Sequence, residues 1–100
     1  MKVVYLSSAR SSFGSIMAYL RKHYEPSAVL KIRTGLLDAV DLLSKYRGLG
    51  QMEPYLEHLG QGHRRMVVGK YKIIYRVEGD RIVVCDFFDA RRDPAEMQGG

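Results

Sequence analysis

The sequence predicts an α+β fold. An N-terminal strand and a two-helix antiparallel hairpin precede a three-stranded antiparallel meander, and all the strands join one twisted sheet. Three observations predict it. Apolar residues recur every three to four positions in two segments of the first half, as in amphipathic helices. In the last third the period becomes two, and glycine-bearing turns separate three apolar runs. A chain of 100 residues buries roughly 60–65% of its unfolded surface, which suits one core and no second domain.

Residues 2–6, Lys-Val-Val-Tyr-Leu, read as a short strand because Val and Tyr favour a pleated, half-buried surface. Ser7 and Ser8 then offer a helix cap. Phe13, Ile16, Met17, Leu20 and Tyr24 make one helical stripe, which should end near Glu25 because Pro26 restrains the residue before it. Pro26 can open the second helix, where its missing N–H costs nothing. Val29, Ile32, Leu36, Val40 and Leu43 form that helix's stripe, and its end is expected near Arg47-Gly48. Gly35 inside it is expected to mark a close approach by the first helix. Both stripes need a sheet face to cover. Residues 48–62 read as a long loop, with a single helical turn starting at Pro54.

Arg64–Val68, Tyr71–Val77 and Arg81–Phe88 are the meander strands. Alternation puts Tyr71, Ile73, Tyr75 and Val77 on one face, with Lys72, Ile74 and Arg76 on the other. In the third strand it sets Val83, Cys85 and Phe87 against Ile82, Val84, Asp86 and Phe88, so this strand is apolar on both sides and belongs in the sheet interior. The face away from the helices is expected to stay partly open and basic. Arg64 and Arg65 are adjacent, so only one of them joins it. Residues 1–96 form the single domain, and 97–100 are expected as a flexible C-terminal tail.

Sixteen Lys and Arg against eleven Asp and Glu leave a formal charge of +5, which biases encounter toward polyanions or acidic proteins. The excess is local: residues 63–76 hold five cations and no acid, whereas 78–96 carry six acids. The one cysteine, Cys85, excludes an internal disulfide and a multi-cysteine zinc site, and it reads as a small buried thiol. His23, His58 and His63 are scattered without metal-ligand spacing. His63 is expected at the surface, at a loop end. No metal, cofactor or membrane is expected. Without an apolar signal stretch or spanning run, a cytoplasmic location is expected.

The segment His63–Pro94, HRRMVVGKYKIIYRVEGDRIVVCDFFDARRDP, resembles the RelE/ParE toxin superfamily of bacterial type II toxin–antitoxin modules. The resemblance lies in an ordered set: Gly69, Tyr71, Lys72, Tyr75, Val77, the Gly79-Asp80 turn, Arg91 and Pro94. The preceding strand and hairpin match the family layout, so the resemblance covers nearly the whole chain. It implies a toxin neutralised by a cognate antitoxin. It also implies one of two targets: DNA gyrase for ParE-like members, or messenger RNA cut at the ribosome for RelE-like members.

RNA cleavage needs a group to accept the 2′-hydroxyl proton, cations at the phosphoryl oxygens, and a proton donor for the leaving group. Carried across from the RelE-like branch, the sheet cation falls on Lys72 and the late arginine on Arg91. Glu53 is a weaker match to the glutamate of a related branch. The late tyrosine falls on or near Met97, which carries no proton, and no histidine follows His63. Lys72 where arginine is usual also loses a bidentate phosphate fork. These departures favour a ParE-like toxin acting on gyrase or an unassigned target. The alternatives are a metal-independent, ribosome-dependent mRNA endoribonuclease and a non-toxic nucleic-acid-binding domain. Arg64, Arg65, Lys72, Arg76, Arg91 and Arg92 are the candidate target- or phosphate-binding residues, and Lys72 and Arg91 are expected on one shared surface.

Overall fold

A computed structural model describes residues 1–100. Strand β1 (Lys2–Tyr5) leads directly into α1 (Ser7–His23), and Pro26 opens α2 (Pro26–Lys45). After a loop come β2 (Gln51–Met52), a 3₁₀ helix (Pro54–Leu59), β3 (Arg64–Val68), β4 (Tyr71–Glu78), β5 (Arg81–Asp89) and a last 3₁₀ turn (Pro94–Glu96). The five strands form one sheet in the order β1-β5-β4-β3-β2. β1 lies parallel to β5, and the other pairs are antiparallel. The predicted architecture is present, with one strand more than expected. No helix is long and apolar enough to cross a membrane.

The serines do not cap α1. Leu6 occupies the cap position, and its N–H is bonded to Val84 O at 3.0 Å, so the helix starts straight off the sheet. Ser8 instead donates to Cys85 O at 2.7 Å. The hairpin covers one sheet face. Leu20, Leu36, Val40 and Leu43 pack there on Tyr71, Ile73, Tyr75, Ile82, Val84 and Phe87.

β5 does not alternate throughout. Ile74 pairs with Asp86 and Tyr75 with Val84, which leaves Cys85 as an extra, bulged residue. The bulge carries Phe87 over to the helix side with Ile82 and Val84, while Val83, Cys85 and Phe88 face away. The face grouping expected from strict period two therefore holds up to Cys85 and fails beyond it. The Cys85 thiol is buried, and burial pushes its pKa up to about 11.

The second face is closed rather than open. Leu56 of the 3₁₀ helix and Met97 cover Ile74, Val83, Cys85 and Phe88, with Leu6 alongside. Residues 97–100, expected as a tail, lie on this face. The Gln98 N–H donates to Asp86 Oδ2 at 3.0 Å, and His63 Nε2 bonds Gly99 O at 2.6 Å. His63 is consequently buried, not at the surface.

Two glycines differ in their reasons. Gly50 accommodates a close approach: a Cβ there would sit 2.5 Å from both Arg65 O and the Tyr75 hydroxyl. That hydroxyl accepts from Gly50 N at 3.1 Å and donates to Arg47 O at 3.0 Å. Gly35 has nothing within 4 Å of the corresponding position, so the expected close contact with α1 is absent. Gly35→Ala should therefore stabilise the protein by about 1 kcal/mol through helix propensity alone. Gly50→Ala should destabilise it by about 1–3 kcal/mol through overpacking. Urea unfolding of the two variants beside the parent checks both signs.

Candidate functional site

The predicted basic residues fall into two separate groups, and register decides which goes where. Directly opposed residues of an antiparallel pair share a face. Arg65 opposes Ile74 and Val67 opposes Lys72, so Arg65 and Lys72 lie on the second face. Arg64 opposes Tyr75 and lies toward the helices, where its Nη2 donates to Gly50 O and its Nη1 meets Met52 Sδ at 3.4 Å.

On the second face the cations are already engaged. Glu53, 1% exposed, places Oε1 3.1 Å from Lys72 Nζ and Oε2 3.6 Å from Arg65 Nη1. The same carboxylate accepts from Tyr55 N at 3.2 Å and so starts the 3₁₀ helix. Arg65 Nη1 also donates to Met52 O at 2.9 Å. The Tyr55 ring lies over Lys72, with Nζ 5.7 Å from its centre. Arg76 pairs with Glu78 at 3.0 Å. Arg92 holds Glu96 at 2.7 Å and stacks 5.5 Å from the Phe88 ring centre. A buried carboxylate with two cationic partners and a backbone donor is a structural clamp, which ties residues 53–59 to the sheet.

Arg91 sits on the other side. Tyr71 pairs with Asp89 across β4 and β5, and the Arg91 guanidinium closes a fork on Asp89, with Nε 2.9 Å from Oδ1 and Nη2 2.6 Å from Oδ2. The expectation that Lys72 and Arg91 share one surface is thus corrected. The physical reason is that Asp89 lies on the Tyr71 face and carries Arg91 with it, while Lys72 points to Glu53.

Arg91 and Lys70 flank an apolar groove of about 280 Å³ between the hairpin and β4. Leu20, Ile32, Leu36 and Tyr71 line it, and Tyr19 and Tyr24 stand at its rim, about half-exposed. Tyr24 belongs to the stripe read from sequence. Tyr19 does not, and its only signal there was an aromatic residue off the apolar stripe. The Tyr71 hydroxyl is raised above its ordinary pKa by burial and then by the Asp89 charge, so it is a poor proton carrier near neutral pH. The Asp89 carboxyl is held below its ordinary range by its bonds to Arg91. The groove offers an apolar anchor site with a cationic rim. It offers no acid–base pair.

A strand, a helical hairpin and one mixed sheet, with an apolar groove flanked by Lys70 and Arg91 at its end, define a small α+β domain of the layout that the resemblance implies. A model of the ParE toxin of the type II toxin–antitoxin system, parDE, matches residues 3–94, and the chain belongs to that family. Among solved structures, a chain of the chromosomal ParDE TA system from P. aeruginosa is similar in fold. The TM-score is 0.72, and the match covers 91% of this chain and 97% of that one at 18% identity. No curated protein matches the chain in sequence. The family assignment therefore stands although the single basic surface does not.

Glu53→Ala should destabilise the fold by about 1–3 kcal/mol. That is less than the 3–5 kcal/mol of a fully buried pair, because Lys72 and Arg65 keep some contact with water. Chemical denaturation measures it. Asp89 should contribute stability that is fully present above its ordinary value of 3.8 and is lost as the pH falls through its lowered folded value. Arg91→Ala should remove that increment. Unfolding free energies measured down to about pH 2 should then fall less steeply in the variant than in the parent.

Proposed function

We propose that this chain is the toxin of a type II toxin–antitoxin pair, that it acts on DNA gyrase, and that its antitoxin silences it by covering the groove beside Arg91. The observation that carries the reading is the engagement of Lys72 by buried Glu53. RNA cleavage through the RelE-like assignment requires Lys72 and Arg91 at one phosphate, and here they lie on opposite sheet faces. Met97 is buried against the second face of the sheet and supplies no proton. Family membership supports an antitoxin partner and a ParE-like rather than a RelE-like target.

The groove suits an antitoxin arm. An arm disordered on its own gains most by burying apolar side chains in a preformed cleft, and acidic residues on it meet Arg91 and Lys70 at the rim. Arg91, 57% exposed at its side chain, remains available to the target when the arm is absent. Neutralisation is then occlusion: the arm covers the cation that the target needs.

Purified chain added to gyrase should abolish supercoiling and leave trapped DNA breaks. Transcripts in a translating extract should stay intact. Arg91→Ala should raise the concentration needed for inhibition by about tenfold, equivalent to about 1.4 kcal/mol of lost binding. Cleaved transcripts beside unimpaired supercoiling would overturn the reading.

A further inference from the structure

The sheet has two edges, formed by β2 at one end and β1 at the other. At one end β2 covers Arg64 and Arg65 of β3, and the clamp at Glu53 holds the following loop over the sheet face beside them. At the other end β1 pairs with β5 on one side only. Lys2 N donates to Asp80 O at 3.1 Å and Leu6 N to Val84 O at 3.0 Å, so the even-numbered residues face β5. Parity turns the N–H and C=O groups of Val3 and Tyr5 outward, where no protein group meets them. Edge strands are ordinarily guarded by charge, proline, a bulge or a covering segment. Val3, Val4 and Tyr5 have none of these and are all partly exposed.

We propose that this edge is a self-association surface. Two copies pair β1 with β1 in antiparallel fashion across a two-fold axis at Val4 and so extend one sheet through both. In this register Val3 of each copy faces Tyr5 of the other, and the outward groups form four N–H···O=C bonds. An axis at Val3 would instead use Met1, whose amino group is occupied by Ser44 O at 2.9 Å. An axis at Tyr5 would use Ser7, already inside α1.

Charge does not oppose the pairing. Lys2 is the one charged residue of the strand, and the two copies' Lys2 backbones would lie about 14 Å apart along the antiparallel pair. That exceeds the screening length of about 8 Å at physiological ionic strength. Arg81, beside Lys2 in the sheet, is already paired with Glu78 at 3.3 Å. With so little local charge, the edge has little to attract an acidic strand. A second copy satisfies all of its outward groups by symmetry.

Sedimentation equilibrium of the full chain over a concentration series, with amide exchange followed by NMR, tests the proposal. A two-copy mass is expected. The Val3 and Tyr5 amides should become slow to exchange in step with dimer formation, while Val4 and Leu6 stay protected at every concentration. Val4→Cys should form an interchain disulfide on oxidation, since Cα atoms of a non-hydrogen-bonded pair lie about 4.5 Å apart and Cys85 is buried. Val4→Lys, with its fold checked by circular dichroism, should weaken association by about tenfold or more through like-charge repulsion. If that variant does not fold, the exchange data and the cysteine variant still decide. A one-copy mass throughout, a dimer in which Val3 and Tyr5 still exchange fast, or protection that appears only with an added acidic peptide would each overturn the proposal.

Discussion

Strand β5 is apolar on both faces, and covering it twice organises the molecule. Ile82, Val84 and Phe87 call for one cover, and Val83, Cys85 and Phe88 call for another. The helical hairpin supplies the first. The second comes from the 53–59 segment and the last few residues, neither of which has a long apolar stripe. They are short, so each is held by polar anchors: Glu53 by Lys72 and Arg65, Gln98 by Asp86, and Gly99 by His63. Hydrophobic burial on this face and the fate of its cations are one problem. Side chains that would otherwise line an open basic sheet are used to hold down its cover.

That use of charge sets apart the two cations carried over from the family pattern. A catalytic cation must be free to meet a phosphate, and the Lys72 ammonium is spent on a buried carboxylate. Arg91 also has a carboxylate partner, but one at the surface, where an ion pair is worth little and can be exchanged for a partner's group. Of the two cations carried over from the family pattern, only Arg91 stands ready for intermolecular contact. It does so beside an apolar groove, where a neighbouring chain can add burial to charge.

Much of the fold was legible in the residues. The stripes of α1 and α2 are long and regular enough for their period to decide the class, and Pro26 marks the break between them. The runs around Gly69-Lys70 and Gly79-Asp80 carry the turn chemistry of tight antiparallel connections. The site was less legible. Lys72, Arg65 and Arg91 were found as residues, yet their grouping was not, because sequence period says which face a side chain takes and not what already waits there. The Cys85 bulge left no sign in a run that is apolar on both faces apart from Asp86, and after it every face assignment reverses. Glu53, a weak match to a family glutamate in the sequence, shows its hold on Lys72 and Arg65 only once the loop is folded back on the sheet. His63 and Met97 were misplaced for the same reason: their burial depends on segments that approach from far along the chain.

By itself the sequence determined the element types, their order, the interior place of the last strand and the excess of positive charge, because periodicity, turn residues and composition act over a few neighbouring positions. Only the tertiary structure decided which cations are paired, which face Arg91 takes, that the second face is closed, and that the edge at Val3 and Tyr5 is bare. Those outcomes depend on pairing register and on contacts between residues tens of positions apart, where a shift of one residue moves a side chain to the opposite side of the sheet.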